Sequence, residues 1–267
     1  SLYTRRLQGD CKKMGKEVAR SINVGITGNT KLTLKCMEAI KAVVNIRYVH
    51  GLPDHKLKDK ANSANLDSFC TDNNIILDKS DDWNNLLFQD LDLVISLGDS
   101  RIVPASVLAK HKVIGNHGAL LPSIQGGASL VWGRMLHTGK WGVTIFELEE
   151  KVDAGDVLVL KPFEYDVEGT MEEFVNLADD KTVEALLDFL MGNYCRTPNK
   201  KWDIRIAKHV DSTLGVRVLS QAIESGANIY MPPRTPADGL VRDEWSDSFV
   251  KKFKIANSSP YPNWSVE

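Results

Sequence analysis

Short apolar runs, each followed by a turn and a helical stretch, constrain the fold of this chain more than any other feature. The run INVGI at residues 22–26 precedes the turn TGNT, and the apolar spacing of the following KLTLKCMEAIKAV is typical of an amphipathic helix. The run DLVISL at residues 92–97 is nearly all apolar, as expected of a parallel strand covered on both faces. This alternation predicts an α/β fold with a doubly wound, mostly parallel sheet.

The remaining elements are predicted from the same two periodicities. We expect further strands at residues 45–49, 75–77, 112–114, 141–148 and 157–160. We expect further helices at residues 64–72, 103–108, 128–137, 170–191 and 216–225. The segment PPRTPADG is incompatible with a regular helix or strand. We divide the chain into an N-terminal helical extension (1–20), a main domain (21–200) and a small C-terminal subdomain (201–267).

Polar residues follow the strands at residues 22–26, 92–97 and 112–114. Parallel sheets of this kind bind ligands beyond the carboxyl ends of their strands, so these residues are candidates for a site. For Thr27 and Asn29 a second interpretation stays open, in which both only form the turn and cap the helix. The polar residues of the three loops are Thr27, Asn29, Asp99, Ser100, Asn116 and His117.

Composition narrows the class of protein. The formal net charge of −2 shows no general attraction to nucleic acid, and we expect no nucleic-acid partner. The four cysteines include no C-x-x-C pair, so we expect no metal site. No run reaches the roughly 18 apolar residues of a membrane span, and the charged residues 1–20 do not read as a signal sequence. We therefore expect a cytoplasmic protein without a membrane partner.

Three stretches occur in a recognisable order along the chain. GNHGALLPSIQGG begins at Gly115, WGVTIF begins at Trp141, and VDAGD begins at Val152. They are followed by PPRTPADG and, near the end, by SPYPNW. The ordered set resembles the folate-dependent formyltransferase family, which includes the methionyl-tRNA formyltransferases, and it looks most like the sugar N-formyltransferases.

The resemblance implies a Rossmann-like formyltransferase fold with a small C-terminal extension, and an N-formyltransferase that uses N10-formyltetrahydrofolate as formyl donor. It assigns catalytic roles to Asn116, His117 and Asp153. In ungapped alignment the family asparagine falls on Gly115, so Asn116 stands one place late. Adjacent side chains of an extended segment point to opposite faces, unless Gly115 and Gly118 permit a bulge. Either Asn116 reaches the catalytic position, or another donor or a water replaces it, or activity is lost.

The resemblance also implies where the two substrates bind. The folate would lie between the loop after residue 97 and the loop around Asp153, held mainly by backbone groups. The implied folate-binding residues are Gly98, Asp99, Ser100, Arg101, Ile102, Glu150, Val152 and Gly155. The implied acceptor-binding residues are Thr27, Asn29, Gln125 and Gly126.

The acceptor is predicted to be a primary amine on a nucleotide-linked aminosugar or another glycan precursor. A different amine remains an alternative, with methionyl-tRNA disfavoured, and so does a non-catalytic protein that binds folate or a sugar. A dinucleotide-dependent oxidoreductase is disfavoured, because the first turn reads GITGNTKLTL and lacks G-x-G-x-x-G. The oligomeric state stays open, and a homodimer is one of the alternatives.

Overall fold

The computed structural model describes residues 11–12, 22–58, 60–206, 208 and 210–266. Its strands are β1 (Cys11–Lys12), β2 (Asn23–Thr27), β3 (Asn45–His50), β4 (Ile76–Asp78), β5 (Leu93–Ser96), β6 (Val113–His117), β7 (Ile124–Gly126), β8 (Lys140–Glu147), β9 (Val157–Glu164), β10 (Tyr194–Cys195), β11 (Ile204–Arg205) and β12 (Ile229–Met231). Its α-helices are α1 (Lys31–Ile40), α2 (Asp54–Leu57), α3 (Asp67–Asp72), α4 (Asn84–Leu87), α5 (Ala105–Lys110), α6 (Ser129–Leu136), α7 (Met171–Leu190), α8 (Ser212–Ser225) and α9 (Asp247–Ala256). A 3₁₀ turn covers Pro236–Gly239, within the segment predicted to be irregular.

The chain divides into two compact units. The first comprises residues 1–116, 145–159 and 182–198, and the second comprises residues 117–144, 160–181 and 199–267. The second unit contains residues from both sides of residue 200, because β11 and β12 form a sheet with β7. The domain boundaries expected at residues 21–200 and 201–267 stay a prediction.

The first unit contains the predicted parallel sheet. Its strand order is β4-β3-β2-β5-β6-β8-β9, to which this unit contributes the ends of β8 and β9. The strands from β4 to β6 run parallel to one another. Alternate residues of β5 pack on opposite faces, with Leu93 and Ile95 in one apolar cluster and Val94 in another. Both faces of the sheet are therefore covered, which confirms the doubly wound α/β fold.

Helices from both sides supply these two clusters. On one side α1 contributes Cys36, Met37 and Ile40, all fully buried. On the other side α4 contributes Leu86 and α5 contributes Val107, both also fully buried. Burial of each large aliphatic side chain stabilises the fold by about 1.5–3 kcal/mol. The two clusters thus cover both faces of the sheet and leave its strand ends as the polar part of the unit.

The second unit has its own apolar core and a small sheet, β11-β12-β7, with parallel pairing. Its core includes Trp132 of α6, Phe174 of α7, Leu219 of α8 and Phe253 of α9. Residues from four separate helices therefore pack in one apolar cluster.

Two local expectations require correction. Strand β6 was expected to end at residue 114, with Gly115, Asn116 and His117 in a loop; instead all three belong to the strand. Of the N-terminal helical extension, Cys11–Lys12 form a strand antiparallel to Tyr194–Cys195, so their backbone groups pair with another segment and not within a helix. The other residues of 1–20 lie outside the described part of the chain.

Candidate active site

The carboxyl ends of the parallel strands bring polar residues of the first unit into one row. The register pairs Thr27 of β2 with His50 of β3 on one side and with Ser96 of β5 on the other. Ser96 in turn pairs with Gly115 of β6. Residues in register on parallel strands share a face of the sheet, so these positions lie side by side along its edge.

Asn116 and Gly98 are joined directly. The backbone amide of Gly98 donates a hydrogen bond to Asn116 Oδ1 over 2.9 Å. Gly98 has a φ of +59°, and a Cβ at this position would lie 2.3 Å from Thr30 Oγ1. Because Oδ1 is the acceptor, the amide orientation is fixed and Nδ2 is the group directed to donate elsewhere.

The space beside Gly115 is filled by an apolar side chain. A Cβ at this position would lie 2.4 Å from Leu148 Cδ1. An asparagine at residue 115, where the family pattern has it, would therefore require Leu148 to move. At this departure from the family pattern, Leu148 takes the space that a side chain would need.

The side chains of the loop after β5 hold the loop itself. Arg101 forms an ion pair with the fully buried carboxylate of Asp99 over 2.8 Å. The same guanidinium donates to the carbonyl oxygens of His50 and Gly51, both over 2.9 Å. Ser100 Oγ accepts a hydrogen bond from Lys60 Nζ over 3.2 Å. A ligand at this loop would therefore meet mainly backbone groups and exposed apolar side chains, among them Ile102, which is 74% exposed.

The two predicted acceptor residues of the first turn differ in their partners. Asn29 is buried, donates from Nδ2 to Ala64 O over 2.7 Å and accepts at Oδ1 from Leu52 N over 2.6 Å. Its amide thus ties three loops together. Thr27 is also buried, and its hydroxyl has no hydrogen-bond partner in the described part of the chain. Both assignments to acceptor binding stay predictions.

The loop around Asp153 has an unusual backbone at the predicted catalytic residue. Asp153 is half-buried and has a φ of +52°, in a region that side chains other than glycine seldom occupy. At the base of the loop, Arg196 bonds both Asp156 and Glu147 over 2.6 Å. Gly155 is required there, since a Cβ would lie 1.9 Å from Glu147 O. Glu150 and Val152 are exposed, so this loop presents one acidic and one apolar side chain at its surface. The ion pairs of Arg196 hold the base of the loop.

His117 belongs to the second unit. It is 7% exposed, and its Nε2 lies 3.0 Å from the carbonyl oxygen of Ile124. The residues that follow it are held by the WGVT segment. Trp141 Nε1 donates to Gly118 O, and Thr144 Oγ1 donates to Ala119 O, both over 2.7 Å. The structure thereby explains why the motifs GNHGALLP and WGVT occur together.

Gln125 and Gly126 lie on β7 of the second unit. Gln125 is 1% exposed, and its Nε2 donates to Pro122 O and Lys200 O. Gly126 has a φ of +96°, and a Cβ there would lie 2.0 Å from Met231 O. Each therefore has a structural role in joining β7 to its surroundings, and their assignment to acceptor binding stays a prediction.

Replacement of Gly126 by alanine is expected to lower the free energy of unfolding by about 2 kcal/mol or more, because strain and a backbone clash act together. The matched control is Gly226→Ala, since Gly226 has a φ of +72° but no atom within 4 Å of an added Cβ. Urea unfolding measures both variants. Equal losses of stability in the two would contradict the proposed clash with Met231.

His50 is a polar residue that the sequence analysis left unassigned. It is fully buried, its ring contacts Trp83 with centroids 4.5 Å apart, and its Nδ1 lies 3.5 Å from Asp78 Oδ2. Burial, followed by the positive charge of Arg101, lowers the pKa of His50 below its usual 6.5, against the opposing effect of Asp78. The only sequence signal for this residue is its place at the end of a strand.

Because the folded protein holds His50 neutral, the unfolded chain takes up a proton at this residue first as the pH falls. We expect the free energy of unfolding to decrease as the pH is lowered below the ordinary value of 6.5, until the folded protein is protonated too. Urea unfolding at several pH values between about 7.5 and 5 tests this, with His50→Gln as comparison. An equally steep pH dependence in His50→Gln would contradict the assignment to His50.

The residues that the structure describes contain no cluster of three or more His, Cys, Asp or Glu side chains arranged to hold a metal ion. None of the helices found among them is long and apolar enough to cross a membrane.

Comparison with known proteins agrees with the resemblance noted in the sequence. Residues 77–190 match the family model described as formyl transferase. The methionyl-tRNA formyltransferase of Listeria monocytogenes is 30% identical over 137 residues, which are 49% of this chain and 44% of that protein. The chain therefore spans less than half the length of this relative.

Solved structures confirm the fold. A 4-N formyltransferase from Francisella tularensis matches with a TM-score of 0.65 and 15% identity, over 92% of each chain. HypX from Aquifex aeolicus, in complex with tetrahydrofolic acid, matches with a TM-score of 0.61 and 18% identity, over 92% of this chain and 36% of its own. The expected formyltransferase fold is confirmed, and the formyl transferase match confirms the family resemblance.

Proposed function

From the formyl transferase match over residues 77–190, which includes Asn116, His117 and Asp153, we propose that this protein transfers a formyl group to a primary amine. The donor is N10-formyltetrahydrofolate. The match to residues 77–190 is the observation that carries this proposal, and the orientation of the Asn116 amide supports it.

The reaction needs donors directed at one oxygen atom. A neutral amine attacks the formyl carbon, and the resulting tetrahedral intermediate carries an anionic oxygen and a positively charged nitrogen. The Nδ2 group of Asn116 suits the role of donor to that oxygen, because Oδ1 is engaged by Gly98 N. We assign the second donor to His117. Asp153 takes the proton lost by the amine and relays it to N10 of the folate, a role for which carboxylates are suited. The bond from the formyl carbon to N10 then breaks, and tetrahydrofolate leaves.

Two loops of the first unit offer backbone groups and one exposed apolar side chain each to a donor of the folate class. The side chains of Asp99 and Arg101 bond each other and the neighbouring backbone, which leaves backbone groups at the loop surface. Val152 is 50% exposed and Ile102 is more exposed still, so each loop also offers one apolar side chain. We propose that the pterin is held by backbone groups of 98–102 and 150–155.

We propose that the acceptor is an aminosugar linked to a nucleotide. The ordered motifs look most like those of the sugar N-formyltransferases, and this resemblance supports the proposed acceptor. The net charge of −2 is also better suited to a small acceptor than to a whole tRNA.

The 30% identical methionyl-tRNA formyltransferase favours a second candidate, methionyl-tRNA as acceptor. The contact of position 115 with Leu148 favours a third, a folate- or sugar-binding protein without turnover. Both are outcomes of the same experiment.

The test measures tetrahydrofolate released from N10-formyltetrahydrofolate in the presence of nucleotide-linked aminosugars, free aminosugars and methionyl-tRNA. Turnover with a nucleotide-linked aminosugar supports the proposal. Turnover with methionyl-tRNA alone contradicts the proposed acceptor. Binding of the folate without turnover on any amine favours the non-catalytic candidate and contradicts the proposed reaction.

A further inference from the structure

The small sheet of the second unit has two different faces. Ile124 of β7, Ile229 of β12 and Ile204 of β11 are in register, and all three pack against the apolar core of the unit. The next residue of each strand is also in register and belongs to the opposite face. These residues are Gln125, Tyr230 and Arg205.

Aromatic rings and cations cover this outer face. The rings of Trp202 and Tyr230 have centroids 5.0 Å apart and are both half-buried. The guanidinium of Arg205 lies 5.3 Å from the Tyr230 centroid and 5.7 Å from the Trp202 centroid. Lys201 Nζ lies 5.3 Å from the Trp202 centroid. We call Lys201, Trp202, Arg205 and Tyr230 the aromatic–cation face.

The charge of this face is not neutralised. Lys201 and Arg205 are exposed, and within the part of the chain that the structure describes neither is paired with a carboxylate. The sequence NKKWDIRIAK at residues 199–208 has four basic residues and one acid, Asp203. Asp203 Oδ2 accepts a hydrogen bond from Asn228 N over 2.8 Å, and the one negative charge of Asp203 leaves the segment with an excess of positive charge.

The combination indicates the chemistry of a ligand. Aromatic rings and guanidinium planes stack on nucleobases, whereas unpaired lysine and arginine attract phosphate groups. An apolar partner surface would not require the cations, and an inorganic anion would not require the two rings. A molecule that carries both a base and phosphates satisfies all four side chains.

The face lies in the same unit as Gln125, which is predicted to bind the acceptor. His117 Nε2 contacts the carbonyl oxygen of Ile124, the residue before Gln125. Tyr230 lies one strand away from Gln125 and Arg205 lies two strands away, which corresponds to about 5 Å and about 10 Å between strands. The side chain of Gln125 further fixes this region by its bond to Lys200 O.

We propose that the aromatic–cation face binds the nucleoside diphosphate part of the acceptor. This inference rests on the proposed function for the identity of the complete acceptor, but the binding of the nucleotide part can be measured without any folate. The base stacks on Trp202 and Tyr230, and the phosphates are held by Lys201 and Arg205.

The test is titration calorimetry with UDP, dTDP and GDP, using the full chain. Trp202→Ala removes a stacking surface and Arg205→Glu reverses a charge beside the phosphates, so each is expected to raise the Kd of the bound nucleotide about tenfold or more. The control variants are Trp264→Ala and Arg217→Glu. Trp264 also lies against a lysine, Lys254 at 4.0 Å, and Arg217 is an exposed cation of α8.

The outcomes separate this inference from the proposed reaction. Nucleotide binding that is weakened only by the face variants supports the inference, whether or not formyl transfer is observed. Formyl transfer by a protein that binds none of the three nucleotides overturns the inference and leaves the reaction intact. Binding of a short single-stranded RNA that Arg205→Glu abolishes, without binding of any nucleoside diphosphate, also overturns it.

Discussion

Replacement of His117 by asparagine is expected to lower the turnover of formyl transfer by about a hundredfold or more, because the imidazole that we assign as a donor to the developing oxyanion is replaced by a shorter amide. Asparagine retains a polar side chain but lacks the imidazole ring at this position, which is 7% exposed. The expected effect is on kcat, since the interaction forms chiefly in the transition state.

A matched control exists in the same chain. His111 is also 7% exposed, and its Nε2 lies 3.1 Å from a backbone carbonyl oxygen, that of Leu86. His111→Asn therefore introduces a comparable change in a buried histidine outside the predicted site. Steady-state kinetics and thermal unfolding of both variants are needed. A near-normal kcat in His117→Asn, or an equal loss in both variants at equal stability, would contradict the catalytic assignment.

The sequence predicts the parallel sheet well because the residues of a strand match the environment in which that strand lies. The residues of β5 are apolar on both sides of the chain, and the structure buries Leu93 and Ile95 in one cluster and Val94 in another. The helix α1 can also be predicted from the sequence, since Thr30 caps its N-terminus and its apolar residues face the sheet. The residues within each of these elements determine whether it forms a strand or a helix, so both can be predicted from a short stretch of sequence.

The small sheet of the second unit could not be predicted in this way. Strand β11 has two residues, and β7 and β12 have three each, too few for a period-2 pattern to be recognised. Their existence depends on pairing between segments far apart in sequence, as between Tyr230 and Gln125. The cluster of Trp202 with Arg205 was missed for the same reason.

The candidate site was partly readable because its motifs are contiguous. The order of GNHGALLP, WGVT and VDAGD identified the candidate site residues. The contacts that these residues make depend on the folded structure. The bond from Gly98 N to Asn116 Oδ1 and the place of Leu148 beside Gly115 have no signature in the sequence. The extension of β6 through His117 was misjudged, because glycine and asparagine are typical of turns.

Replacement of Asn116 by aspartate is expected to lower kcat by about a hundredfold to a thousandfold, the usual cost of removing one donor to an oxyanion. Aspartate has nearly the same shape and retains an oxygen that can accept the hydrogen bond from Gly98 N. It replaces the Nδ2 donor by a second acceptor that carries negative charge. The variant therefore separates the donor function from the support of the Gly98 loop.

Two comparisons give the result its meaning. Asn116→Ala removes both groups, so we expect a similar loss of kcat together with a lower stability of the fold. Asn257→Asp is the matched control, because Asn257 Oδ1 accepts from Arg234 and its Nδ2 donates to Phe253 O, outside the predicted site. An unchanged kcat in Asn116→Asp would place the donor on another group. That donor could not be a side chain at position 115. A Cβ there would lie 2.4 Å from Leu148 Cδ1, so Leu148 would have to move to make room for one.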